Sequence, residues 1–149
     1  ANPDMYSMPE YDQQRPWIEW LQAETPPDDI VANLPFPSGR SASDYQDTTI
    51  AMLWSTYHNR RLANGYSGFF PKEFVQLKSD VQNFPDDKSV RELRKSRVRW
   101  CVVNTDELKS ANVDKLTDQS QLSLRFETDD RKTRIYEVKP VEEFNWKFE

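Results

Sequence analysis

Val98-Arg99-Trp100-Cys101-Val102-Val103 is the stretch on which the reading of the fold turns. It is nearly continuous in apolar residues, where a half-wet strand would alternate apolar with polar, so it reads as a strand covered on both faces. Covering both faces takes helices on either side of a sheet, and the flanking sequence supplies helical spacing. Ser89 and Glu92 stand three apart in capping-box order, with Val90 and Leu93 as the apolar contacts of a short helix ending near Ser96. Arg94 and Lys95 fall in its last turn, where cations suit the helix dipole. Further upstream Pro71 opens a helix carrying Phe74, Leu77 and Val81 on one side, which Phe84-Pro85-Asp86-Asp87 ends.

Downstream, Leu108, Val113 and Leu116 predict a turn or two of helix over the core. Leu122, Leu124 and Phe126 alternate with Ser123, Arg125 and Glu127, and Ile135-Tyr136-Glu137-Val138 follows the polar run Thr128 to Lys132. Those two segments read as a hairpin with one wet face. The tail, Val141 to Glu149, spaces Phe144, Trp146 and Phe148 by two, as an edge strand or a strap would.

Toward the N-terminus, Ala1 to Arg15 lacks any period and is read as a leader without an element. Pro16 suits a first helical turn, and Trp17, Trp20 and Leu21 give a short helix from Pro16 to Ala23, stopped by Thr25-Pro26-Pro27. Ile30 to Leu34, bounded by Pro35, reads as a buried strand. Ile50, Leu53, Trp54 and Tyr57 form the stripe of a helix over Ser43 to Tyr57, which places His58 near the end of the inward face. The expected architecture is α/β: a mixed sheet of about four or five strands with helices packed against it, ending in an antiparallel hairpin. Residues 1–15 are the leader and 16–149 a single domain.

Composition narrows the function classes. A formal net charge of −5 argues against sequence-independent nucleic-acid binding, which draws on surplus Lys and Arg to neutralise phosphates. One Cys and one His cannot furnish the thiolate and imidazole set of a structural zinc site, and no metal or cofactor is expected. The apolar run Ile50 to Trp54 is far shorter than the roughly 20 residues of a membrane helix, so the stretch reads as a soluble piece.

Three constellations bear on chemistry. Ser67, His58 and Asp44 or Asp47 offer a hydrolase-like trio, but Gly65-Tyr66-Ser67-Gly68-Phe69 is one residue out of register with a nucleophile elbow. Two of the three glycines lie in Asn64-Gly65-Tyr66-Ser67-Gly68, so at least one position there is expected at positive φ, with Gly→Ala destabilising. Asn64-Gly65 also reads plainly as a hairpin turn. Arg91, Arg94, Lys95, Arg97 and Arg99 form the basic cluster, suited either to a solvated helix face or to anionic lipid head groups. The adjacent acids Asp28-Asp29, Asp86-Asp87, Asp129-Asp130 and Glu142-Glu143 read as solvated loop charges.

Leu34-Pro35, Ser55-Thr56-Tyr57-His58, Asn64-Gly65-Tyr66-Ser67-Gly68-Phe69-Phe70-Pro71 and Val98 to Val103 together resemble the C-terminal extracytoplasmic region of bacterial multi-spanning membrane proteins of the class C glycosyltransferase type. Those proteins are mannosyltransferase-like enzymes that use polyprenyl-phosphate sugars. The likeness covers about Trp17 to Val103, and departs where Arg60-Arg61 replace an expected proline and Trp100-Cys101 a Tyr-Val. The family's membrane helices and its catalytic acidic loop lie outside these 149 residues. The resemblance therefore implies a non-catalytic domain on the extracytoplasmic, periplasmic face, packing on its own membrane domain or binding a glycan or polyprenyl-phosphate sugar. The ligand-binding residues it implies are Ser55, Thr56, His58, Asn64, Gly65, Tyr66, Ser67 and Gly68. A small stand-alone hydrolase and a ligand-free scaffold are the competing expectations.

Overall fold

Helix α1 (Tyr11–Glu24) is the first element of the computed structural model, which describes residues 11–35, 61–62, 76–77 and 79–140. It begins at Tyr11, so residues 11–15, read above as leader, are helical, and Pro16 lies inside the helix. Proline removes one backbone donor there, so the helix forgoes one i to i−4 hydrogen bond in its second turn. Burial of Trp17, Ile18 and Leu21, each at most 2% exposed, outweighs it at about 1.5–3 kcal/mol per side chain. Thr25 closes the helix, donating its Oγ1 hydroxyl to the Leu21 carbonyl at 2.6 Å, and the prolines that follow prevent continuation.

Strand β1 (Ile30–Leu34) lies between β2 (Arg61–Leu62) and β3 (Val98–Asn104), parallel to both. The hairpin of β4 (Leu122–Glu127) and β5 (Thr133–Val138) joins antiparallel to β3, giving a five-stranded mixed sheet in the order β2-β1-β3-β5-β4. Helices α2 (Asp87–Lys95) and α3 (Ser110–Asp118) complete the described elements. The α/β class, the mixed sheet and the antiparallel hairpin are as the sequence reading expects.

Each sheet face has its own core. On one, α1 places Trp17, Ile18 and Leu21 against Val31, Trp100, Val102 and Ile135. On the other, Val90 and Leu93 of α2, Leu116 of α3, and Leu77, Val81 and Phe84 meet Ala32, Leu34, Val98, Cys101, Val103, Tyr136 and Val138. Strand β3 is thus covered on both sides, and Cys101 is fully buried packing.

Two β-bulges break simple alternation. Opposite β1, Val98 pairs with Ile30 and Trp100 with Val31, leaving Arg99 as an extra residue. Opposite β5, Leu124 pairs with Tyr136 and Phe126 with Ile135, leaving Arg125 extra. Val98 and Trp100 therefore serve opposite cores despite being two apart. Leu124 and Phe126 likewise face opposite ways, and Leu124 is left 51% exposed.

The cap of α2 differs from the expected one. Asp86 is the N-cap, its carboxylate accepting the Ser89 amide at 2.8 Å, while the Ser89 hydroxyl donates to the Asp86 carbonyl at 2.8 Å. Ser89 is wholly buried in the first turn, so the capping motif runs Asp-x-x-Ser, three residues earlier than Ser-x-x-Glu. The adjacent acids are also more than solvated charges. Asp29 accepts the Trp100 indole N–H at 2.8 Å, and Asp130 accepts the Lys132 amide at 2.9 Å within the hairpin loop.

Gln119, 8% exposed at the end of α3, donates its Nε2 to the Pro85 carbonyl at 2.7 Å and to Asp87 Oδ1 at 3.2 Å. Its own Oε1 accepts the Gln121 amide at 3.1 Å. One amide thereby ties the start of α2 to the end of α3. Gln119→Ala leaves the buried Pro85 carbonyl without this donor, and urea unfolding should record a loss of about 1–3 kcal/mol. A change under about 0.5 kcal/mol would mean water replaces the amide.

The expected helix Ser43 to Tyr57, the Asn64-Gly65 turn, the positive-φ glycine loop and the Val141 to Glu149 strand or strap lie outside the described residues.

Candidate functional site

The expected ligand residues Ser55, Thr56, His58, Asn64, Gly65, Tyr66, Ser67 and Gly68 also lie outside the described residues, as does the Ser67, His58, Asp44 trio. The basic cluster lies within them, and the fold gathers part of it. Where α2 ends and β3 begins, beside the end of β5, Arg94, Arg97, Val98, Arg99, Val138, Lys139 and Pro140 line an open cleft of about 280 Å³. Among the described residues that line it are four cationic ones and no carboxylate, while Val98 and Val138 border it from the core at 3% and 2% exposure.

Backbone geometry builds this cleft. Ser96 is the C-cap of α2, and Arg97 takes a left-handed conformation with φ 65°, its N–H donating to the Arg94 carbonyl at 2.9 Å. Glycine is the usual occupant of that position, because any Cβ there meets the neighbouring carbonyl. The turn sends the chain directly into β3, whose bulge at Arg99 aims this second arginine at the same rim. Across the sheet, the Lys139 amide donates to the Gln121 carbonyl at 2.9 Å, and the Lys139 carbonyl accepts Arg94 Nε at 3.0 Å. The backbone of Lys139 is therefore held at both ends.

Arg99 is divided between two acceptors. One guanidinium nitrogen makes a short contact with Glu137 Oε2, and another donates to the Val138 carbonyl at 3.4 Å. Glu137 Oε1 accepts from Arg125 at 2.6 Å, so the carboxylate sits between the two bulge arginines. Arg125 in turn lies 5.7 Å from the Trp100 ring centroid, a cation–π contact. Trp20 meets Trp100 edge-on at 5.6 Å and stacks on Phe126 at 5.8 Å. Burial lowers the Arg94 pKa from its ordinary value, through loss of hydration, yet guanidinium stays charged at neutral pH.

The remaining members of the cluster go elsewhere: Arg91 is exposed on α2 and Lys95 pairs with Glu92 at 3.5 Å. Among the described residues, neither Arg97 nor Lys139 has a carboxylate partner. Lys139, Val138 and Glu137 were missed by sequence reading, since only the β3–β5 register brings them beside Arg99. The arrangement suits binding a multiply charged anion. Among the described residues no three His, Cys, Asp or Glu side chains gather as metal ligands, and no helix is long and apolar enough to cross a membrane. No protein-family model matches the chain, and no curated protein matches it in sequence.

Proposed function

We propose that the chain is a non-catalytic soluble domain of a bacterial membrane protein of the class C glycosyltransferase type. In this reading it stands on the extracytoplasmic side and holds the anionic part of a polyprenyl-phosphate sugar or related lipid-linked glycan. The observation that carries the reading is the cleft lined by Arg94, Arg97, Arg99 and Lys139, with the half-buried Pro140 beside them. Its location on a chain of net charge −5 makes this a local feature and not a general attraction to anions. The sequence resemblance supplies the membrane context and the class of ligand.

Sedimentation with vesicles tests it. Phosphatidylcholine vesicles containing polyprenyl phosphate should carry the protein down, with about 1 kcal/mol of attraction per engaged cation, and added salt should release it. Equal partition onto vesicles of phosphatidylcholine alone would overturn the reading. So would turnover of a polyprenyl-phosphate sugar by these residues alone.

A further inference from the structure

The cations of the cleft are not equally placed. Arg94 and Lys95 end α2 and complement the negative end of its dipole, which accounts for them without any ligand. Arg97 and Arg99, on the turn into β3, and Lys139, after β5, lie beyond that helix on two stretches of backbone, and dipole complementation does not account for them. Arg97 in particular occupies a left-handed position that an L-residue takes only at a steric penalty. A penalty tolerated at the mouth of a cleft points to a role for the side chain. Lys139 is pinned through its own N–H and C=O, so its ammonium projects from a fixed base. Among the described residues, Arg99 alone of the three is engaged by a carboxylate, that of Glu137.

A lone carboxylate ligand needs only one arginine fork, whereas three cations lining one cleft match the charge and the several oxygens of a phosphate. Pro140, half-buried, is then the apolar group left open to the carbon side of an ester, since Val98 and Val138 are taken up by the core. We propose that the cleft is a phosphate-ester site in which Arg97 and Lys139 grip the phosphate while Glu137 restrains Arg99 at the rim and so limits the site's affinity. This rests on the preceding reading that the cleft is the ligand surface. Glu137 acts as a positioning residue, since any turn of Arg99 toward the ligand must first release it.

The experiment titrates glycerol 3-phosphate into the protein by calorimetry, beside sedimentation with polyprenyl-phosphate vesicles. Arg97→Gly and Lys139→Gln should each weaken glycerol 3-phosphate by about tenfold or more. Arg97→Gly should leave the melting temperature unchanged or higher, because glycine relieves the left-handed strain. Arg131→Gly, at the hairpin loop where φ is 62°, makes the same backbone change at the far end of β5 and should bind as the parent does. Glu137→Gln keeps the shape, frees Arg99 and should tighten binding several-fold, about fivefold on the scale of one exposed charge. Unaltered binding in Arg97→Gly and Lys139→Gln, or in Glu137→Gln, would overturn the proposal. Vesicle binding without glycerol 3-phosphate binding overturns it and leaves the membrane reading standing. Binding of glycerol 3-phosphate that depends on Arg97, without vesicle binding, upholds it and removes the membrane reading.

Discussion

Trp100→Ala should destabilise the protein by about 3–5 kcal/mol, the largest effect expected of a single substitution here. The side chain is 4% exposed, on the face of β3 covered by α1, opposite Val31 on one neighbouring strand and Glu137 on the other. Its ring meets Trp20 edge-on at 5.6 Å, its indole N–H donates to Asp29 at 2.8 Å, and the Arg125 guanidinium lies over it. Removal opens a cavity in a sheet position that cannot collapse, and leaves Asp29 and Arg125 without that partner. Urea unfolding measures the loss, and Trp100→Phe separates its parts: keeping an aromatic body, it should forfeit only about 1–2 kcal/mol for the indole bond and the missing volume. If alanine costs less than about 1 kcal/mol, the two-sided packing of β3 assigned here is wrong.

Cys101 should react with a thiol reagent about a thousandfold more slowly in the folded protein than in the unfolded chain at pH 8. Burial in an apolar environment pushes its pKa up from the ordinary 9.0 to about 12, so the thiolate fraction collapses before access is even considered. A consequence for stability follows by linkage. Between pH 9 and 12 the unfolded chain has released the thiol proton and the folded chain still holds it. The folded state then binds more protons, so stability, intact below pH 9, falls as pH rises, with a limiting slope of about 1.4 kcal/mol per pH unit. Comparing urea midpoints of the parent and Cys101→Ala across alkaline pH isolates this contribution, since alanine removes the titrating group. Rapid labelling in native buffer, or parallel pH curves for the two proteins, would contradict the burial of Cys101.

Much of the architecture is legible from periodicity because it depends on short-range spacing. The run Val98 to Val103 reads as doubly covered, and β3 is covered by α1 on one face and α2 and α3 on the other. Ile30 to Leu34 and the hairpin segments are strands where alternation and β-branching place them. Pro16 suits a first turn, yet α1 begins five residues before it and tolerates proline through its buried stripe. At α2, both Asp86-x-x-Ser89 and Ser89-x-x-Glu92 satisfy capping rules. Which wins depends on burial of Ser89, a tertiary fact.

The cleft was half legible. Arg94, Arg97 and Arg99 stand out as a basic run, but a solvated helix face explains the same run equally well. Lys139 and Glu137 are about forty residues away along the chain and join it only through the antiparallel register of β5 against β3, with Trp100 opposite Glu137.

Local residue chemistry thus determines which segments become helix or strand, since spacing, caps and prolines act within a few bonds of themselves. Where each side chain points after a bulge is decided by the partner strand. At Arg99 and Arg125 an unpaired residue reverses the pleat, and nothing in Val98-Arg99-Trp100 or Leu124-Arg125-Phe126 marks the insertion until β1 and β5 are laid alongside. The meeting of two arginines on Glu137, and of three more cationic positions around an open cleft, is for that reason a property of register across the sheet, set by which cores the neighbouring residues must fill.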